Sequence, residues 1–339
     1  MILNIEQVKQ IAQGAESIIE ENGLIRFYRF SEEELALYRA RPDYYPMAVA
    51  TPGVQLVFQT DAETLRLKVA ELAETAYHSF YAYDILVNEQ LIGQLKNFPD
   101  DLENGHYDDI KYTTTAAEGH FCLGRGVKTV RIVFPWSVSL GLSSLELENA
   151  SFIEPVKKSK KMLIYGDSIT HGSSSLFPSQ TYAALLAQWL DAEATNKAVG
   201  SEFYYPELAR IKQTTSPDYI TVAYGINDWY HLSRDEFTDR CRRFWAAMCE
   251  NYPNAKKFAL TPIYYIAIAQ CGERPFGPLE DVAKLIRQIT AELPNITVID
   301  CMDFVSRDSA DFGDLTVHPN HIGFRKYFES LKKAMTPYL

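Results

Sequence analysis

The stretch Met162-Leu163-Ile164-Tyr165-Gly166-Asp167-Ser168-Ile169-Thr170-His171-Gly172 decides how this chain reads. Its apolar run has the length of a buried strand and stops at a Gly-Asp-Ser turn. The pattern from about 181 to 190 predicts a helix. Ser168 therefore stands at a strand-to-helix junction, beside backbone N–H groups of the turn and the helix start. A nucleophile and the anion it creates can both be supported there. No Gly-x-Ser-x-Gly occurs, so the α/β-hydrolase elbow is not the reading.

Working outward from that turn, strands and helices alternate from Lys161 to the end. Strands are expected at 162–165, 194–199, 219–224, 257–260 and 297–299. Helical patterns fall near 181–190, 234–250, 279–291 and 322–335. This alternation implies a parallel sheet covered by helices. Residues 50–150 read differently. Val54–Phe58 and Leu65–Val69 alternate apolar and polar positions, and 83–87 and 129–134 do so less strictly. Short strands at this spacing suggest a β-sandwich. Ahead of it, a first helix is expected near 5–13, and Ser31-Glu32-Glu33-Glu34 reads as a capping box. The basic run Lys157-Lys158-Ser159-Lys160-Lys161 reads as a solvated linker. The expected organisation is a β-sandwich over 1–155 and an α/β unit over 156–339.

The chain has 339 residues, enough for two such units. A formal net charge of −11 argues against nucleic-acid or acidic-membrane partners, which need a basic footprint. The first 23 residues lack a basic start and long apolar core, and no run reaches transmembrane length. The five cysteines are scattered and odd in number, without Cys-x-x-Cys, which fits a reducing compartment. A cytoplasmic location is the expectation from these features.

Four motifs fall at predicted strand ends or in a late loop, where doubly wound sheets bind ligands. They are Gly166-Asp167-Ser168, the run from Asn196 to Ser201, Gly225-Ile226-Asn227-Asp228, and the run from Asp314 to Asn320. A serine hydroxyl needs a base to take its proton, and His318 is the best candidate. Three donors could receive an oxyanion: the Ser168 N–H, a backbone N–H at Gly200, and the Asn227 side-chain amide.

In this order the four motifs resemble the SGNH hydrolases, also called GDSL-type esterases, whose catalytic Ser, Gly, Asn and His stand in separate blocks. The resemblance covers about 161–335. It implies a flavodoxin-like three-layer α/β/α fold and the same oxyanion donor set. The sandwich ahead of it resembles, less specifically, the jelly-roll-like accessory β-domain of several carbohydrate esterases. Two positions depart from the family pattern. The oxyanion glycine is expected at Ser201, but the glycine is Gly200, so either N–H could serve. The triad acid usually stands three residues before the histidine. Here that residue is Leu315, and Asp314 is four before. Asp314 could reach the ring through a one-residue bulge, a backbone carbonyl could replace it in a Ser–His dyad, or Asp311 could serve.

Simpler roles stand beside these. Asp167 reads as a structural hydrogen-bonding residue, and Asp228 as a turn residue capping the next helix. Tyr165 and Tyr224 suit packing as well as sugar stacking. Trp229, directly after the Asn-Asp turn, and His171, in the first turn, are the expected substrate contacts. His321 belongs to the last helix's first turn. His78, His106, His120 and His231 have no metal-like spacing, and phosphate-binding glycine loops are absent, so no metal and no cofactor are expected. The expected substrate is a small-molecule or oligosaccharide ester, carrying O-acetyl groups by analogy with the carbohydrate esterases. A lipid or thioester acylhydrolase and an inactive carbohydrate-binding homologue are the alternatives.

Overall fold

The computed structural model describes residues 1–74, 79–106 and 116–339. The stretch that opened the reading is the centre of a five-stranded parallel sheet. Its strands are β1 (Lys160–Gly166), β2 (Ala192–Asn196), β3 (Tyr219–Ala223), β4 (Lys256–Leu260) and β5 (Ile296–Ile299), in spatial order β2-β1-β3-β4-β5. This is a flavodoxin-like order, and the strand order reverses at β1. Successive side chains of β1 point to opposite faces. Met162 and Ile164 pack with Tyr182, Leu186, Phe324 and Leu331 of the helices Tyr182–Trp189 and His321–Met335. Leu163 and Tyr165 pack with Phe244, Trp245 and Ile286 of the helices Arg234–Asn251 and Glu280–Thr290. Both faces of the strand are buried, which is why it reads as an unbroken apolar run.

β2 begins and ends earlier than the apolar pattern suggests. It pairs in register with β1 from Ala192 opposite Lys160 to Asn196 opposite Ile164. The Asn196 side chain then accepts from the Ala198 N–H at 2.9 Å and donates to the Thr170 carbonyl at 3.0 Å. That local bond turns the backbone away from the ladder.

The first half of the chain folds into two antiparallel sheets. One orders Ala12–Gln13, Gln55–Thr60, Lys128–Val133, Ala82–Val87 and Gln90–Lys96, with Ile153–Pro155 also on Gln55–Thr60. The other orders Ser17–Glu21, Leu24–Tyr28, Val138–Glu148, Thr64–Glu74 and Ala117–Cys122. Leu56, Phe58, Val130 and Ile132 of the first sheet share a core with Leu65, Leu67, Leu145 and Leu147 of the second. The first helix, Ile5–Ile11, is closed by an Asn4 capping box, and the expected Ser31 box caps the helix Glu32–Arg39. One segment crosses the expected division. Phe30, Leu35, Tyr38, Met47 and Ala48 join the core of the α/β unit rather than that of the sandwich. Among the described residues, no helix is long and apolar enough to cross a membrane.

Candidate active site

Gly166 ends β1 with its α-carbon against the Thr170 side chain, where a β-carbon would collide. The close approach lets the chain turn at once into the helix Ser168–His171. Asp167 caps that helix, accepting from the Ile169 N–H at 3.1 Å. Burial pushes its carboxyl up to about 7 against this bond and the pull of His318. Ser168, the first helical residue, is half-buried and points its hydroxyl at His318, with Oγ 2.7 Å from Nε2.

His318 sits in a loop fastened across its neck. Phe312 and Pro319 bridge antiparallel, and the Gly313 N–H donates to the His318 carbonyl at 2.8 Å. Inside the loop Asp314 Oδ2 stands 2.7 Å from His318 Nδ1, while Oδ1 accepts from the N–H groups of Thr316, Val317 and His318 at 2.9, 2.9 and 3.1 Å. The extra residue, Leu315, takes a left-handed conformation with φ +61°. That turn absorbs the four-residue spacing and brings the carboxylate to the ring. Burial alone would raise the Asp314 carboxyl. The hydrogen bond and charge of His318, with the loop N–H groups, outweigh burial and hold it well below the usual carboxylate range. Asp311 faces elsewhere, paired with Lys326 at 2.6 Å and bonded to Ser306. A carboxylate at Nδ1 keeps the ring proton there and leaves the Nε2 lone pair for the serine hydroxyl.

Gly200 lies against the serine. A β-carbon on it would stand 4.0 Å from Ser168 Cβ and only 2.5 Å from the Met47 sulfur, so any larger residue would have to displace the Met47 side chain. Ser201, the alternative donor, follows with φ +59°. Asn227 lies in the helix Ile226–His231 that follows β3, beside β1, and donates one side-chain hydrogen to the Glu202 carbonyl at 3.1 Å. An amide carries two such hydrogens, and the bond to Glu202 uses one of them.

Three expectations come out differently. Trp229 is buried at 3 % exposure and donates to the Gly277 carbonyl at 2.8 Å, a core position rather than a sugar platform. His171 is equally buried, with Nδ1 3.1 Å from the Ala198 carbonyl and Nε2 2.8 Å from the Trp136 carbonyl. Both ring edges are engaged by the protein, so it braces the first turn instead of meeting a substrate. Asp228 caps no helix. It faces inward and accepts from the Tyr204 N–H at 3.2 Å, while Ser233 caps the next helix. His78 lies outside the described residues; among those described, no three His, Cys, Asp or Glu side chains gather to hold a metal ion.

Burial pushes the Asp228 carboxyl up to about 8 against the Tyr204 bond, and Asp167 adds to the rise. The folded protein thus keeps a proton that the unfolded chain releases near the ordinary carboxylate value. The resulting stability is full below that value and is lost as pH rises through about 8. Asp228→Asn keeps an acceptor for Tyr204 and removes the ionisation. Its Tm relative to the unchanged protein is expected to rise between pH 5 and pH 9, by several degrees on the scale of about 2–4 °C per kcal/mol. A pH-independent difference in thermal melts would contradict this assignment.

Residues 164–326 match the family described as GDSL-like lipase/acylhydrolase. No curated protein sequence matches the chain. Among solved structures, the salicylyl-acyltransferase SsfX3 from a tetracycline biosynthetic pathway superposes with a TM-score of 0.77 at 20% identity, over 96% of this chain and 94% of that one. A Bacteroides ovatus protein described as a GDSL-like lipase gives 0.75 at 16% identity, over 99% and 97%. A family two carbohydrate esterase from Cellvibrio japonicus gives 0.65 at 14% identity, over 99% and 98%. At these identities the likeness is one of fold, and it runs through both halves of the chain. The parallel sheet and the loops at its C-terminal edge, over residues 164–326, form a GDSL-like lipase/acylhydrolase domain.

Proposed function

We propose that the protein is a serine esterase that hydrolyses short acyl esters, with an O-acetylated carbohydrate as its substrate. The observation that carries the reading is the unbroken line from Asp314 through His318 to Ser168, two links of 2.7 Å each. His318 Nε2 takes the hydroxyl proton as Ser168 Oγ attacks the ester carbonyl. The carbonyl oxygen becomes an oxyanion held by the Ser168 N–H, a backbone N–H at Gly200 and the Asn227 amide. The imidazolium, paired with Asp314, returns the proton to the departing alcohol. Water then enters by the same base and releases the acid. Each oxyanion donor contributes about 3 kcal/mol to this transition state.

The intact relay supports an enzyme over an inactive sugar binder. The carbohydrate side rests on the likeness, through sandwich and sheet together, to a family two carbohydrate esterase. The likeness to an acyltransferase favours one further reading, in which the acyl-enzyme passes its acyl group to an acceptor hydroxyl instead of water. A series of p-nitrophenyl esters from acetate to decanoate, with acetate release from an acetylated oligosaccharide, tests the proposal. Turnover is expected to fall by about tenfold or more between acetate and octanoate, a difference of about 1.4 kcal/mol or more in transition-state binding. A preference for long chains would turn the assignment to a lipid acylhydrolase. New ester formed on adding an alcohol acceptor, at the expense of free acetate, would turn it to acyl transfer.

A further inference from the structure

The loop from Asn196 to Glu202 bears Gly200, and the first half of the chain grips it at four points. Arg29, fully buried, donates Nη1 to the Asn196 carbonyl at 2.5 Å, and its other nitrogens hold the Ala50 and Met47 carbonyls at 2.9 and 2.7 Å. Lys197 is fully buried against Glu34, Nζ to Oε2 2.6 Å. The Met47 sulfur packs on Gly200. Arg41 closes the loop with two parallel bonds to the Glu202 carboxylate, 2.7 and 2.8 Å. These four holding residues fall between positions 29 and 47, the segment whose apolar side chains are built into the α/β core, and Glu16 adds a longer contact to Lys197 at 3.7 Å.

The Arg41–Glu202 pair reaches the reaction most directly. The Glu202 side chain is 1% exposed, and Arg41 is stacked between Tyr44 and Tyr205, with ring centres 3.8 and 4.5 Å away. The same Glu202 residue offers the carbonyl that holds the Asn227 amide at 3.1 Å, and its carboxylate accepts from the Phe203 N–H at 3.1 Å. The backbone orientation at Glu202 therefore sets both the course of the loop past Gly200 and the direction of the Asn227 side chain. We propose that Arg41 is a positioning residue for the oxyanion pocket: by fixing Glu202 it aims the Asn227 amide and holds the Gly200 backbone at Ser168. The proposal rests on the esterase reading above. It makes the segment from 29 to 47, set between the sandwich strands Leu24–Tyr28 and Gln55–Thr60, a working part of the site rather than an appendage.

Removing Arg41 leaves a buried carboxylate without its cation, and the loop must move to hydrate it. A bidentate fork is also something lysine cannot reproduce. With the full chain and p-nitrophenyl acetate, Arg41→Ala is expected to lower kcat by about 10–100-fold, part of the loss of one oxyanion donor, with KM within about threefold. Arg41→Lys falls between and serves if the alanine variant does not fold. Arg41→Ala combined with Glu202→Gln is expected to regain about threefold or more in kcat, since a neutral amide needs no cation. A merely structural role predicts a lowered Tm with kcat within about twofold, or a double variant no better than the single one, and either overturns the proposal. Hydrogen exchange over residues 196–206 gives a readout independent of turnover. Faster exchange confined there in Arg41→Ala supports the brace, and unchanged exchange overturns it. If the unaltered protein neither cleaves the ester nor reacts with a fluorophosphonate, the esterase reading fails, while exchange still decides whether Arg41 holds the loop.

Discussion

Ser168→Ala is expected to reduce kcat for p-nitrophenyl acetate by about 10⁵–10⁶-fold, the loss seen when a serine hydrolase gives up its nucleophile. The residual rate would come from binding and the oxyanion donors alone. The serine is half-buried at the start of a four-residue helix whose cap is Asp167, so an alanine leaves the capping bond and the strand end in place. Stability should change by less than about 1 kcal/mol, because the lost hydroxyl contributes one hydrogen bond to a partly solvated ring. Kinetics with far-UV circular dichroism checks both halves of the expectation. Esterase activity retained in a folded Ser168→Ala protein would remove the mechanism altogether.

The second large effect concerns the group behind the base. Asp314→Asn is expected to cut kcat by about 10⁴-fold, as when a triad carboxylate is replaced by its amide. The amide can present a donor to Nδ1, which shifts the ring proton to Nε2 and deprives Ser168 of its acceptor. The carboxylate has a second task here. Its other oxygen gathers three backbone N–H groups, and an asparagine oxygen can retain these if the amide turns its oxygen inward. The variant should therefore fold, with KM close to that of the parent. Stability carried by Asp314 has the sign of a depressed carboxylate: present above the ordinary value and lost as pH falls through the folded one. Turnover of Asp314→Asn within about tenfold of the parent would show that the relay at Nδ1 contributes little, and a backbone carbonyl would then be the better account.

Much of this architecture was legible because local patterns and global packing agree. The unbroken apolar run of β1 needs burial on both faces, and the alternating strands of the first half need it on one. The four motifs mark the loops at one edge of a parallel sheet, so Ser168 and His318, 150 positions apart, could be brought together on paper. Residues whose partners are also remote but carry no motif stayed silent. Arg41 meets Glu202 across 161 positions and Arg29 meets Asn196 across 167, and nothing local marks either arginine. Trp229 and His171 were misplaced for a related reason. Nearness in sequence to a reactive turn says nothing of which way a side chain packs, and both face the interior. Asp228 looked like a cap because Asx residues favour turns, yet the preceding glycine starts the short helix earlier and turns Asp228 to the core.

The left-handed residue after Asp314 bears on how such chains diverge. A one-residue insertion between acid and base would be expected to destroy a relay whose parts must meet within hydrogen-bond length. Here the insertion is neutralised where it occurs: Leu315 reverses the chain, its side chain rides outside at 41% exposure, and the amides that follow fall back onto the carboxylate. A leucine holds that conformation at a cost of about 1 kcal/mol, which a glycine would not incur. A fixed three-residue ruler laid along this sequence would land on Leu315 and pass over the carboxylate that stands 2.7 Å from the ring.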